Sequence, residues 1–218
     1  LGGERRGGGG LSAPGDLRRP LDAALGHPTV VRLADRLAVR AAQDAVTTAD
    51  VRLAAVAAVL RVVHEPELLF IKRAEAVGDP WSGHMAFPGG RYETGDQSLL
   101  ETAVRETREE TAIDIAEAGQ LLGRLDDLAP RSAMLPRMVI RPYVAIVHPA
   151  VRIVASHEVA AHFWVPLAQL RDPAMHAEHE LEHEGARLRF PGYRVGPHVA
   201  WGLTERIVRQ LLSVLDDR

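Results

Sequence analysis

Between Phe87 and Ile113 the chain reads Phe-Pro-Gly-Gly-Arg-Tyr-Glu-Thr-Gly-Asp-Gln-Ser-Leu-Leu-Glu-Thr-Ala-Val-Arg-Glu-Thr-Arg-Glu-Glu-Thr-Ala-Ile. The paired glycines after Phe87-Pro88 predict a strand end entering a loop whose backbone bends sharply or approaches something closely. A short acidic helix follows. At about 100° per residue, Glu106, Glu109 and Glu110 share an arc of about 100°, while Leu100, Val104, Thr107 and Thr111 form a separate stripe. One face can bury and the other can bind. Asp96 stands two residues before the first plausible helical turn, where a carboxylate could cap it.

Three carboxylates on one helix face repel one another, and a cation would reverse the sign of that interaction. Hard carboxylate oxygens suit Mg²⁺ or Mn²⁺, which keep several waters and share phosphate oxygens as further ligands. Arg105 lies four residues before Glu109 and can hold that carboxylate by an ion pair. The alternative is a solvated charged face, and the glycines upstream weigh against it.

The segment resembles the Nudix hydrolases, whose signature is GX5EX7REUXEEXGU with U a bulky aliphatic residue. The matching residues are Gly90, Arg105, Glu106, Glu109, Glu110 and Ile113. The stretch from Gly90 to Arg105 is one residue longer than the signature, and Asp96 or the out-of-register Glu93 replaces the loop glutamate. Thr107 is the first U. Ala112 stands where the signature has glycine, so the backbone there is expected to avoid a left-handed conformation. The resemblance implies an α/β/α sandwich with a mixed sheet, and metal-dependent hydrolysis of a nucleoside diphosphate-linked substrate by water. It makes Glu106 and Glu110 the principal ligands of Mg²⁺ or Mn²⁺, with Glu109 a further ligand or the base. Gly89 would lend its carbonyl oxygen and Arg105 would orient a glutamate. Many members draw another carboxylate from a loop near a Trp-aliphatic-Pro-Leu run. Here that run is Trp164-Val-Pro-Leu167, and the nearest preceding carboxylate is Glu158, for which a surface salt bridge is the competing reading.

Upstream, Leu69-Phe-Ile-Lys-Arg73-Ala74 and Gly83-His-Met-Ala-Phe-Pro-Gly-Gly90 look like the extension LLTXR[SA]XXXRXXXGXXXFPGG of coenzyme A diphosphatases. Gly78 occupies the place of the second arginine, and one extra residue precedes Gly83. The C-terminal Val199-Ala-Trp201-Gly202-Leu-Thr204 is similar to the tryptophan-glycine-aliphatic-threonine element of the same branch. The resemblance thus implies coenzyme A or acyl-coenzyme A as substrate, with Arg73, Trp81, Gly83, Gly90 and Arg91 as its binding residues. Two other readings stay open. One is a nucleotide-clearing pyrophosphatase for ADP-ribose, dinucleoside polyphosphates or oxidised nucleoside triphosphates, with Trp81 and Tyr92 as nearby aromatics. The other is a non-catalytic nucleotide sensor.

With 218 residues, 46% hydrophobic and 25% charged, the chain fits a single domain with an ample core. Its net charge of −3 offers no broad basic surface, so nucleic acid is not an expected partner. Cysteine is absent, which removes disulfide and thiol chemistry and agrees with a cytoplasmic setting. No apolar run approaches the about 18 residues of a membrane span. Residues 1–25 are expected to form a flexible arm, and 26–218 one Nudix domain including an extra N-terminal helix. Val30, Leu33, Leu37 and Ala41 place that amphipathic helix from Pro28 to about Ala45, able to pack on the sheet or on a second subunit of a homodimer. Strands are predicted at 51–63, 68–72, 121–125, 139–147 and 162–165, with helices near 167–171 and 201–215. His176, His179 and His183 among glutamates read as a solvated hairpin or loop, with a zinc site the sharper alternative, and Asp126-Asp127 as a strand-end turn, with a position facing the metal site as its alternative.

Overall fold

The computed structural model describes residues 18–48, 50–130, 137–183 and 185–216. Its organising strand is β1, Arg52–Val62, which pairs in parallel with Met138–Val147 from Arg52↔Met138 to Leu60↔Ile146. That partner is β6 in chain order, and Gly119–Arg124, β5, runs antiparallel along its other edge. Strand β2, Pro66–Arg73, meets β1 only through residues 66–68 before the two diverge. Residues 84–91 fill the opening: Met85–Ala86 (β3) pairs with β2 at Ile71↔Ala86, and Gly89–Arg91 (β4) pairs with β1 at Val56↔Gly89. Between them Ala57 N–H donates to the Pro88 carbonyl at 2.8 Å. Val159–Pro166, β7, covers the outer edge of β2. The glycine loop is thus built into the sheet.

Alternation along the strands makes the two faces. Ala58 and Leu60, Leu68 and Phe70, and Val144 and Ile146 turn to a layer containing Val30, Leu33 and Leu37 of α2 (Pro28–Val39) and Leu211 of α6 (Leu203–Asp216). Ala55, Ala57, Val59, Leu69, Ala145 and Val147 turn to the opposite layer, where α3 (Leu99–Thr111) contributes Ala103. Alanines on this second face let the acidic helix lie close to the sheet, so its carboxylates reach the edge where β1 and β2 part. The result is the expected α/β/α sandwich with a mixed sheet.

Several elements differ from the sequence reading. Residues 1–17 of the expected arm lie outside the described residues, but Arg18–Leu25 is helical (α1), with Ala24 buried and Leu21 and Leu25 packed on the core. Helix α2 stops at Val39 and leaves Ala41 exposed. On α3 the buried positions are Thr102, Ala103, Thr107, Glu110 and Thr111, while Leu100 and Val104 are only half-buried. Ser98, not Asp96, is the N-cap, its hydroxyl accepting from Glu101 N–H at 3.2 Å. The histidine-rich segment does form a hairpin, in agreement with that reading, His176–His183 (β8) with Ala186–Val195 (β9), and His198–Trp201 (β10) completes a second, three-stranded sheet. Asp126 binds Arg40 and Gln43 N–H, and Asp127 binds Arg141 and Ala45 N–H, so both fasten the segment after α2 to the sheet.

Ala112 is the clearest reversal. It ends α3 at φ 59°, ψ 15°, left-handed, with its N–H on the Arg108 carbonyl at 2.8 Å. Burial of Ile113, 2% exposed, sets the direction in which the chain must leave the helix, and alanine accepts the strain. Ala112→Gly is expected to stabilise the fold by about 1 kcal/mol, measured as a shift of the urea midpoint at unchanged slope.

Candidate functional site

Backbone and helix meet at the two glycines. Gly89, at φ 153°, has no room for a side chain, because a Cβ would stand 2.3 Å from the Ala55 carbonyl oxygen. Its N–H donates to Glu110 Oε2 at 2.9 Å. At Gly90 a Cβ would stand 2.3 Å from the Glu106 carboxyl carbon. Both glycines therefore let the backbone approach its neighbours closely, Gly89 against β1 and Gly90 against Glu106. Glu110 is 3% exposed, and its Oε1 lies 3.9 Å from an Arg73 guanidinium nitrogen.

Glu106, Glu109 and Glu110 line one cavity with Ser156, His157 and Glu158, about 290 Å³ in volume. Residues 154–158 reach it because Val154 N–H and Ser156 N–H donate to the Thr111 and Glu110 carbonyls, both at 3.0 Å. Glu158 thus faces the helix glutamates, with Nε2 of the adjacent, exposed His157 3.9 Å from its carboxylate. A larger, shallower depression of about 380 Å³ between Leu128 and α6 residues Arg206, Arg209, Gln210 and Ser213 carries none of the box carboxylates.

Burial, with Glu106 and Glu158 as neighbouring charges, pushes the Glu110 carboxyl up to about 7 against the opposing Gly89 N–H and Arg73. Burial, then Glu109 and Glu158, likewise raises Glu106, while Arg105 opposes the shift. These carboxylates hold mutual repulsion that a cation would relieve. Among the described residues no three acidic or imidazole groups form a ready-made metal cage. Hard divalent cations such as Mg²⁺ and Mn²⁺ take carboxylate oxygens and complete their shell with water and phosphate oxygens. Glu106 and Glu110, with Glu109 and Glu158 beside them, are the oxygen donors available.

Arg105 does more than hold Glu109. Its Nε and Nη2 engage Asp96 Oδ1 and Oδ2 at 2.9 and 3.0 Å, and its Nη1 reaches Glu106 Oε1 at 3.0 Å and Glu109 Oε2 at 3.2 Å. Asp96, 5% exposed, is therefore the counterion of Arg105 and stands away from the cavity lining, and Arg105 holds its carboxyl well below the usual range. Glu93 is exposed and supports Asp96 through its backbone N–H at 3.1 Å. Arg91 is also exposed, its carbonyl accepting from Arg105 at 3.2 Å. Trp81 is half-buried against a cluster of Ala54, Met138 and Ile140 with Leu203. Gly83 turns the chain at φ 69°. His176 and His179, three apart on β8, fall on opposite faces of the strand and cannot share an ion.

Asp79 was not foreseen. It accepts from Arg73 Nη2 at 2.8 Å and from Trp81 N–H at 3.0 Å, so it fixes the guanidinium nearest Glu110. Its signal in the sequence was only proximity to Arg73.

A glycine loop bonded to a buried glutamate of an acidic helix, beside a cavity lined by further carboxylates, fits chemistry on a phosphate-bearing ligand with a divalent cation. The NUDIX domain family matches residues 51–184. The chain belongs to the Nudix family, hydrolases of phosphorus anhydrides. The uncharacterized Nudix hydrolase NudL of Photorhabdus laumondii subsp. laumondii is 31% identical over 157 residues, 71% of this chain and 81% of that one. An uncharacterized protein of Schizosaccharomyces pombe is 36% identical over 126 residues, 56% of this chain, but the match spans only 38% of that protein. The crystal structure of a MutT/nudix family protein from Enterococcus faecalis superposes with a TM-score of 0.54 at 16% identity, over 95% of this chain and 76% of that one. No described helix is long and apolar enough to cross a membrane.

Proposed function

We propose that the protein hydrolyses the diphosphate of coenzyme A or acyl-coenzyme A, releasing 3′,5′-ADP and 4′-phosphopantetheine or its S-acyl derivative. One observation carries the choice of substrate. The two segments that resemble the coenzyme A branch, 83–90 and 201–204, pack on each other across more than a hundred residues of chain: the Thr204 hydroxyl donates to the Met85 carbonyl at 2.9 Å, and His84 and Trp201 rings lie 4.8 Å apart. Likeness in both segments therefore amounts to likeness of one surface beside Arg73.

In this reading Glu106 and Glu110 hold the cation, with the Gly89 carbonyl and Glu158 as further oxygens. A bound Mg²⁺ or Mn²⁺ would neutralise phosphoryl oxygens and acidify water. Glu109, whose side chain is 55% exposed and held at Oε2 by Arg105, is the carboxylate placed to accept a proton from the attacking water. Arg105 holds Glu106 and Glu109 apart at fixed spacing, and Arg73 faces the phosphates from the side of Glu110.

Gly78 favours a broader second reading. It is a turn glycine at φ 83° with open space around it, so the position lacks the arginine that would fork onto a phosphate. The alternative is a diphosphatase acting on ADP-ribose, dinucleoside polyphosphates or oxidised nucleoside triphosphates.

The test is a mass-spectrometric product assay with Mg²⁺ or Mn²⁺ on coenzyme A, acyl-coenzyme A, ADP-ribose, NADH, dinucleoside polyphosphates and 8-oxo-dGTP. Preferential release of 4′-phosphopantetheine is expected, with turnover abolished by chelator. Preference for another member would establish the second reading, and turnover of none would favour a nucleotide sensor.

A further inference from the structure

Arg73 ends β2, and the loop after it, which carries the Asp79 partner of its guanidinium, is tied to the sheet at its ends by Ala74 N–H to the Glu158 carbonyl at 2.7 Å and Arg73 N–H to the His84 carbonyl at 3.0 Å. Residues 75–78 are exposed, Val77 fully so, and the segment is folded by turn bonds: Asp79 N–H to Ala76 O at 3.3 Å, Ser82 N–H to Asp79 O at 3.0 Å and His84 N–H to Trp81 O at 3.2 Å. Its larger side chains, Trp81 and His84, act as anchors. Both land on the short stretch that leads into α6. Trp81 joins the cluster that includes Leu203, and the His84 ring meets Trp201 at 4.8 Å with the planes at 54°. One residue on, Met85 takes the Thr204 hydroxyl.

Trp201 is held in turn by the hairpin. His179 of β8 stacks on it at 4.1 Å with the planes 11° apart, and Phe190 of β9 lies 5.3 Å away at 37°. His179 and Phe190 are directly paired across the hairpin, so the same face of both strands rests on the one indole. None of the residues lining the carboxylate cavity belongs to this group. The hairpin and the substrate loop therefore meet through Trp201, away from the reacting atoms.

We propose that Trp201 is a positioning residue: clamped by His179 and Phe190 of the hairpin, it fixes His84, and with it the 74–84 loop that carries the partner of Arg73, so that it governs substrate selection and leaves the chemistry alone. The kinetic part rests on the diphosphatase reading, whichever substrate proves best; the structural part stands without it.

Two readouts on the full chain test this. Hydrogen exchange of the Asp79, Ser82 and His84 amides should accelerate about tenfold in Trp201→Ala and by a smaller factor in His179→Ala, while amides of α3 and β1 keep the wild-type rate. With the substrate that wild type prefers, KM should rise about tenfold in Trp201→Ala, with kcat within about twofold and the metal concentration for half-activation unchanged. Trp201→Phe should restore both readouts toward wild type, since a ring remains between His84 and His179. Loop amides that exchange at the wild-type rate in both variants would overturn the proposal. So would a fall in kcat with KM unchanged, which would put Trp201 in service of the carboxylates. If Trp201→Ala does not fold, His179→Ala and Trp201→Phe carry the same comparison. Because exchange needs no turnover, an error in the assigned substrate would leave the loop result standing, and the wild-type panel alone decides the substrate.

Discussion

Glu110→Gln is expected to lower kcat by about three orders of magnitude, or about 4 kcal/mol of transition-state stabilisation, while making the metal-free protein more stable at pH 8. The two effects share a cause. Glu110 is 3% exposed and accepts from Gly89 N–H at 2.9 Å. A glutamine oxygen can keep that bond and fill the same volume, so only the charge is lost. Burial first, and then the charges of Glu106 and Glu158, place the carboxyl at about 7 in the folded protein, against an ordinary value of 4.5. A folded value above the unfolded one means that protonation favours the fold. The penalty is therefore absent below about 4.5, grows as pH rises toward 7 and is complete above it, on the order of 3 kcal/mol. Glutamine removes the penalty at pH 8 and changes little at pH 4. Urea midpoints with chelator at the two pH values test this, alongside kcat with saturating Mg²⁺ or Mn²⁺. A variant that keeps full activity would end the assignment of Glu110 to the metal, and a variant with no extra stability at pH 8 would end the repulsion argument.

Much of this site was legible before the fold, because its signals are local. Paired glycines and three glutamates on one helix arc are read from adjacent residues, and the apolar runs of β1, β2 and β6 mark buried strands of ordinary length. What escaped depended on distant partners or on segments too short for a period. Strands β3 and β4 have two and three residues and exist because β1 and β2 part around them. The outer half of the β8–β9 hairpin is exposed, so its Glu and His pattern carried no burial signal, and the pairing of Glu180 and Glu178 with Arg189 across it gives the charges a place. Asp96 looked like a cap because caps are chosen by nearness in sequence. Its position is set instead by Arg105, nine residues on. Ala112 was misjudged for a related reason: the left-handed penalty of alanine is about 1 kcal/mol, which is less than burial of Ile113 returns.

Arg105→Ala should be the most destabilising change in the site, costing about 3 kcal/mol of folding free energy, because it leaves a buried charge without its partner. Asp96 would retain the Thr102 hydroxyl at 2.8 Å and Glu93 N–H at 3.1 Å but lose both guanidinium bonds. Activity should fall as well. The same guanidinium spaces Glu106 from Glu109, and without it their oxygens would drift from the geometry a cation needs. Arg105→Lys should recover little, since an ammonium cannot reach two oxygens of Asp96 and two further carboxylates in one plane. The pH dependence separates the clamp from general destabilisation. Arg105 holds the Asp96 carboxyl below its ordinary 3.8, so the clamp contributes fully above about that pH and is lost as the group protonates below it. The stability difference between wild type and Arg105→Ala should thus shrink in two stages, first above about 4.5 as Glu106 protonates and again in stronger acid, below about 3.8, as Asp96 does. Urea melts along that series decide the point: a difference that persists unchanged well below pH 3 would mean that the cost of losing Arg105 lies in packing, and that the Asp96 pair is not what holds the helix to the loop.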